Sequence, residues 1–95
     1  MPVSRSSVTS EQQAAWQHAR KLVGAAVREA RIRAGLTQEA LALESGVTRN
    51  MLIHIEHGTR GVSFERLYDL AEALDIIPAS LVPDIDRHSR ARRKL

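Results

Sequence analysis

Apolar residues in the middle of this chain recur every three or four positions and never alternate with polar ones over the length of a strand. The densest stretch is QEALALESGVTRNMLIHI, Gln38 to Ile55. Leu41, with Leu36 before it, marks one helical face, and Val47, Leu52 and Ile55 mark a second. Gly46 lies between them, where one helix must stop and the chain reverse, a place that favours positive φ and therefore glycine. Thr48 restarts the helix: its hydroxyl accepts from backbone N–H groups of the next turn, with Val47 and Leu52 as a hydrophobic staple. Ala42 falls where the two helices cross, and a larger side chain there would push them apart. The pattern predicts two short helices held at a fixed angle by one glycine turn.

The flanks are helical too. Ser10 to Gln13 reads as a capping box with Ser10 at the N-cap, followed by helix formers without proline as far as Ala34. A helix of that length spans about 36 Å. Trp16, Ala19, Val23, Ala26, Val27 and Ala30 form its apolar stripe. Gly24 interrupts the stripe at a cost of roughly 1 kcal/mol relative to alanine. One long helix is the expectation, with a break between Trp16 and Gly24 as the alternative. Gly35 closes it, and Thr37 caps the next helix with Leu36 and Leu41 as its staple. After Gly58, a C-cap glycine, Ser63 caps a helix whose apolar face is Phe64, Leu67, Leu70, Ala71 and Leu74. Residues 78–82 read as a short helix with Pro78 in its first turn, ended by Pro83. The expected fold class is all-α. Residues 1–9 read as a disordered leader and 84–95 as a flexible basic tail.

Composition agrees. The chain has 95 residues, 43% of them hydrophobic, with one Trp, one Tyr and one Phe, which suits a small aliphatic helical core. No run approaches the roughly twenty apolar residues of a membrane span, the start has no signal-peptide core, and there are no cysteines. A cytoplasmic protein is expected. The net charge of +3 is misleading, because Arg87, Arg90, Arg92, Arg93 and Lys94 crowd the tail. Without those five cations, nine basic side chains face eleven acidic ones. What remains is polarised: residues 1–61 hold eight basic and five acidic groups, residues 62–86 one basic and six acidic. One end suits a polyanion and the other repels it.

Gln38, Ala42, Gly46, Val47, Leu52 and Ile55 all stand where the Cro and phage-repressor type (XRE-like) helix-turn-helix regulators have glutamine, alanine, glycine and apolar residues, so the stretch resembles that family. The resemblance implies a five-helix phage-repressor-like DNA-binding domain over residues 22–83, preceded by a helical extension over 10–21. It implies a bacterial or phage-encoded transcriptional regulator, most economically a repressor, binding double-stranded DNA at a palindromic operator as a homodimer. An antitoxin or protein-interaction module of the same fold, with a toxin as partner, is the alternative. No enzyme is expected, since no activated nucleophile, phosphate loop or convergent acid–base pair is visible, and no cofactor is implied.

The second helix of the motif would enter the major groove with its first turn nearest the bases. Arg49, Asn50 and His54 are the candidate base readers: Arg pairs with guanine O6 and N7, and Asn with adenine N6 and N7. Thr37, Gln38, Thr48, His57, Thr59 and Arg60 are the candidate phosphate contacts, Thr37 and Gln38 because they open a helix, Arg60 because the family's loop after the recognition helix touches the backbone. Gly61-Val62 stands where many members have a loop proline. Glu56 sits oddly on a helix that meets a polyanion, and the resemblance pairs it with Arg31 of the first helix as a structural ion pair. The competing reading, a metal held by His54, Glu56 and His57, fails because one helical turn cannot aim all three at one ion. Trp16, Ile76, Ile77, Leu81 and Val82 are candidates for the dimer interface, although an indole such as Trp16 is more often buried against its own core first.

Overall fold

Hydroxyl side chains start every α-helix among the described residues. Thr9, Thr37, Thr48 and Ser63 each sit at an N-cap in extended conformation, and each side-chain oxygen accepts from the N–H three residues on, at 3.0–3.1 Å. These contacts come from a computed structural model that describes residues 8–84. The helices they open are α1 (Ser10–Arg33), α2 (Gln38–Ser45), α3 (Arg49–His57) and α4 (Phe64–Leu74). Glycines end two of them, Gly46 after α2 at φ 80° and Gly58 after α3 at φ 74°.

Several expectations need correction. The capping box of α1 is one residue earlier than expected: Thr9, not Ser10, is the N-cap, and Gln12 reciprocates by accepting from the Thr9 N–H at 3.1 Å. The helix runs unbroken through Gly24, as expected. The fifth helix is a single 3₁₀ turn, Pro78–Leu81, so the described chain has four α-helices and one such turn. Finally, Phe64 is 70% exposed rather than buried. It opens α4, and because side chains lean towards a helix N-terminus it projects beyond the last packed turn. The basic tail after Asp84 and the first seven residues of the leader lie outside the described residues.

The core is one aliphatic cluster drawn from every element: Val27 of α1, Leu41 of α2, Leu52 and Ile55 of α3, Leu70 of α4 and Leu81 of the 3₁₀ turn are essentially inaccessible. Leu81 therefore completes the chain's own core at 1% exposure and is not a surface residue, contrary to its expected place in an interface. Ile76 is half-buried against the same cluster. Ile77, at 67%, and Val82 remain exposed.

Gly24 explains how α1 and α3 come so close. A Cβ at Gly24 would lie 2.7 Å from the Glu56 carbonyl oxygen and closer still to that of Ile55, distances no real side chain shows. The residue that interrupts the apolar stripe is the one that lets backbone pack on backbone. Gly58 repeats the device from the other side, since a Cβ there would meet Lys21 Cα at 2.8 Å. Two glycines thus seat α3 directly on α1.

Candidate nucleic-acid interface

The interface is built on a buried polar strut. Arg31 of α1 donates from Nε to Glu56 Oε2 at 2.7 Å and from Nη2 to Oε1 at 3.1 Å, a forked pair, while Nη1 donates to the Leu36 carbonyl at 2.9 Å. Gln38 Nε2, from the first turn of α2, donates to the same Glu56 Oε1 at 3.0 Å. The Glu56 side chain is 2% exposed. Its charge is thus paired and hydrogen-bonded from two other helices, the condition under which a buried carboxylate is tolerated. Two helices converge on one side chain of α3, so the rotation of α3 about its axis is fixed. Arg31 and Glu56 were expected together, and Gln38 acts here as a brace on α3.

With Leu52, Ile55 and Glu56 turned inward, the other side of α3 faces out. Arg49 and Asn50, its first two residues, are exposed, as is the capping Thr48. Thr48 Oγ1 accepts from Met51 N, which leaves the N–H groups at the very start of the helix pointing outward beside two side chains that carry five and two donors. Thr37 caps α2 in the same manner and is exposed.

His54 is not independent of the loop. Its Nδ1 lies 2.9 Å from Thr59 Oγ1, and that hydroxyl donates to the His54 carbonyl at 3.2 Å. With Nδ1 engaged by this hydroxyl, Nε2 is the ring nitrogen left to meet a ligand. A base reader and a phosphate contact of the sequence reading are therefore one hydrogen-bonded unit. His57 and Arg60 are exposed on either side of Gly58 and Thr59. His54, Glu56 and His57 diverge: the first bonds Thr59, the second Arg31 and Gln38, and the third faces solvent.

The sequence pattern gave no sign of Arg20 and Lys21, which lie in the N-terminal extension yet lean on the loop after α3, Lys21 against Gly58 and Arg20 towards Gly61. Trp16 is 49% exposed, on the same side as these residues.

Residues 27–81 match the family model described as Helix-turn-helix, the segment that contains the strut, both caps and the polar start of α3. The chain belongs to the helix-turn-helix family. Within it, it is an XRE-like transcription regulator. It is 39% identical over 67 residues to y4dJ, an uncharacterised HTH-type transcriptional regulator of Sinorhizobium fredii, covering 70% of this chain and 87% of that one. It is 36% identical over 64 residues to the control protein C.BamHI of Bacillus amyloliquefaciens, covering 66% of this chain and 79% of the relative. Among solved structures it is similar to the restriction-modification controller protein C.AhdI of Aeromonas hydrophila, at 42% identity and a TM-score of 0.64 over 65% of this chain and 94% of that one. Gly24 and the extension before it precede the segment matched to the family model.

Proposed function

We propose that this helix-turn-helix regulator binds double-stranded DNA sequence-specifically through α3, as a cytoplasmic homodimer on a palindromic operator, and represses transcription there. The observation that carries the reading is the strut. A carboxylate on the recognition helix is withdrawn from the polyanion and bonded to Arg31 and Gln38, while Arg49 and Asn50 stay outside. In this reading Arg49 and Asn50 contact base edges, and His54 presents Nε2 to a base or its flanking phosphate. Thr37, Gln38, Thr48, His57, Thr59 and Arg60 line the backbone on both sides. One helix reads only a few base pairs, so two copies on successive major grooves about 34 Å apart are the economical arrangement.

The likeness to C.BamHI and C.AhdI supports a second reading of the biological role, control of restriction–modification genes, in which the same DNA contacts serve activation as well as repression. No observation supports a toxin as the partner, and the polar outer face of α3 favours DNA over an apolar protein groove.

Selection of bound sequences from random duplexes tests the reading. Arg49→Ala should relax preference at one base position, at a cost of about 1–3 kcal/mol on the best site. Arg60→Ala should weaken all sites alike and lower the salt slope by about 1. Absence of any enriched sequence at moderate salt, with all binding lost on truncation after Asp86, would sink recognition by α3.

A further inference from the structure

The turn after α3 folds back onto a side chain of α3 itself. Gly58, at φ 74°, reverses the chain, and a Cβ there would meet Lys21 Cα at 2.8 Å, so the reversal is seated on α1. Thr59 then returns to His54 by three contacts. Its N–H donates to the His54 carbonyl at 3.0 Å, its hydroxyl donates to the same carbonyl at 3.2 Å, and Oγ1 lies 2.9 Å from His54 Nδ1. The first two hold the hydroxyl in place, and the third reaches the ring.

Closing the end of α3 needs only the contacts to the carbonyl. The contact to the ring does something else. Rotation about the bond that joins an imidazole to its Cβ is broad and roughly two-fold, so the half-buried ring, left to itself, presents Nε2 in two directions. Flipping it would set a ring carbon against Oγ1 and forfeit the hydrogen bond. The hydroxyl's single proton is engaged within this unit, so a phosphate oxygen, which only accepts, could take it only after that contact is given up.

We propose that Thr59 is a positioning residue: it holds the His54 imidazole so that Nε2 keeps one direction, and thereby sets preference at the base pair that His54 meets. The proposal rests on the DNA reading above and changes the part Thr59 plays in it, from phosphate contact to support for a base reader. One hydrogen bond biases a two-way choice by about two- to tenfold, and discrimination against base pairs that suit the flipped ring should depend on Thr59 by that factor. The best site itself should lose only about twofold, since about half of the rings stay competent without the hydroxyl.

The test measures the affinity of the full chain for a duplex obtained by selection and for a set in which each base pair of the half-site is changed in turn. Thr59→Val removes the hydroxyl and keeps the shape, whereas Thr59→Ser keeps the hydroxyl. Thr59→Val should lower discrimination at the base pair that His54→Ala identifies, with the salt slope unchanged, and Thr59→Ser should retain it. In the His54→Ala background Thr59→Val should add nothing. A uniform loss at all sites, equal in both backgrounds, would make Thr59 a phosphate contact, and a lower melting temperature with intact discrimination would make it a cap alone. Either result overturns the proposal. A measurement without DNA separates it from the DNA reading: the ring-nitrogen resonances of His54 should move in Thr59→Val and not in Thr59→Ser, while those of the exposed His57 stay unchanged. Unmoved His54 resonances would overturn the positioning whatever the chain binds. Moved resonances in a chain that enriches no duplex would support the ring contact and overturn the DNA reading instead.

Discussion

At the scale of single residues, Gly24 sets two effects against each other. Alanine in place of a mid-helix glycine gains roughly 1 kcal/mol in helix propensity. Here, however, the new methyl would meet the backbone carbonyls of Ile55 and Glu56, which cannot rotate aside as a flexible side chain would. Overpacking of a tight contact costs about 1–3 kcal/mol, and rigid backbone lies at the upper end. Gly24→Ala should therefore destabilise the fold by about 2 kcal/mol, seen as a lower urea midpoint at unchanged m-value. A midpoint at or above the wild type would mean that α1 and α3 are not in such close contact. Phe64 is the opposite lesson. Its position fits the periodicity of α4, yet the buried face begins only one turn later, at Leu67.

At the scale of elements, the orientation of α3 depends on α1 and α2 together. Removing one partner of a buried pair leaves the other charge uncompensated, so Arg31→Ala should cost about 3–5 kcal/mol in thermal or denaturant unfolding. Replacing both, as Arg31→Met with Glu56→Leu, should recover most of that loss, because an apolar pair of similar volume avoids the desolvation cost. The double variant should nonetheless discriminate less well between operator sequences than the wild type, since nothing then fixes the rotation of α3. Full stability together with full specificity in Arg31→Ala would show that the strut is dispensable. The pairing was legible before the fold was known only through the family resemblance. Gln38's share in it needed the α2–α3 geometry, because Gln38 and Glu56 are 18 residues apart.

At the scale of the whole molecule, charge and apolar exposure divide the surface by role. The exposed Glu65, Glu72 and Asp75 make the α4 end unfavourable for DNA, while Arg49 and Arg60 lie at the α3 end. Ile77 and Val82, on the stretch after α4, are the exposed remnants of the proposed dimer surface once Leu81 is assigned to the core. If that surface joins two copies, Ile77→Glu should shift the chain from dimer to monomer in sedimentation equilibrium without altering its helical content. It should also weaken binding to a palindromic operator far more than to a half-site. A wild type that sediments as a monomer at micromolar concentration, bound to DNA or not, would remove the homodimer from the reading.

What the sequence determined by itself is local or familial. Helix starts at Thr37, Thr48 and Ser63, the turns at Gly35, Gly46 and Gly58, and the outward placement of Arg49 and Asn50 all follow from contacts within four residues or from helical period, and such contacts are written consecutively in the chain. Even so, a capping box with two adjacent hydroxyls, Thr9 and Ser10, was open to a one-residue slip, because either can accept from the N–H three positions on. Only the tertiary structure decided which apolar residues are inside. Leu81 is buried and Ile77 exposed four residues apart, because the 3₁₀ turn carries Leu81 into the core cluster and leaves Ile77, its N-cap, outside it. It also decided that Gly24 is a contact surface, that His54 and Thr59 act as a pair, and that Arg20 and Trp16 share a groove with Arg60. Each of those facts depends on how two helices cross, and helical period specifies the face that is buried but not the neighbour it meets.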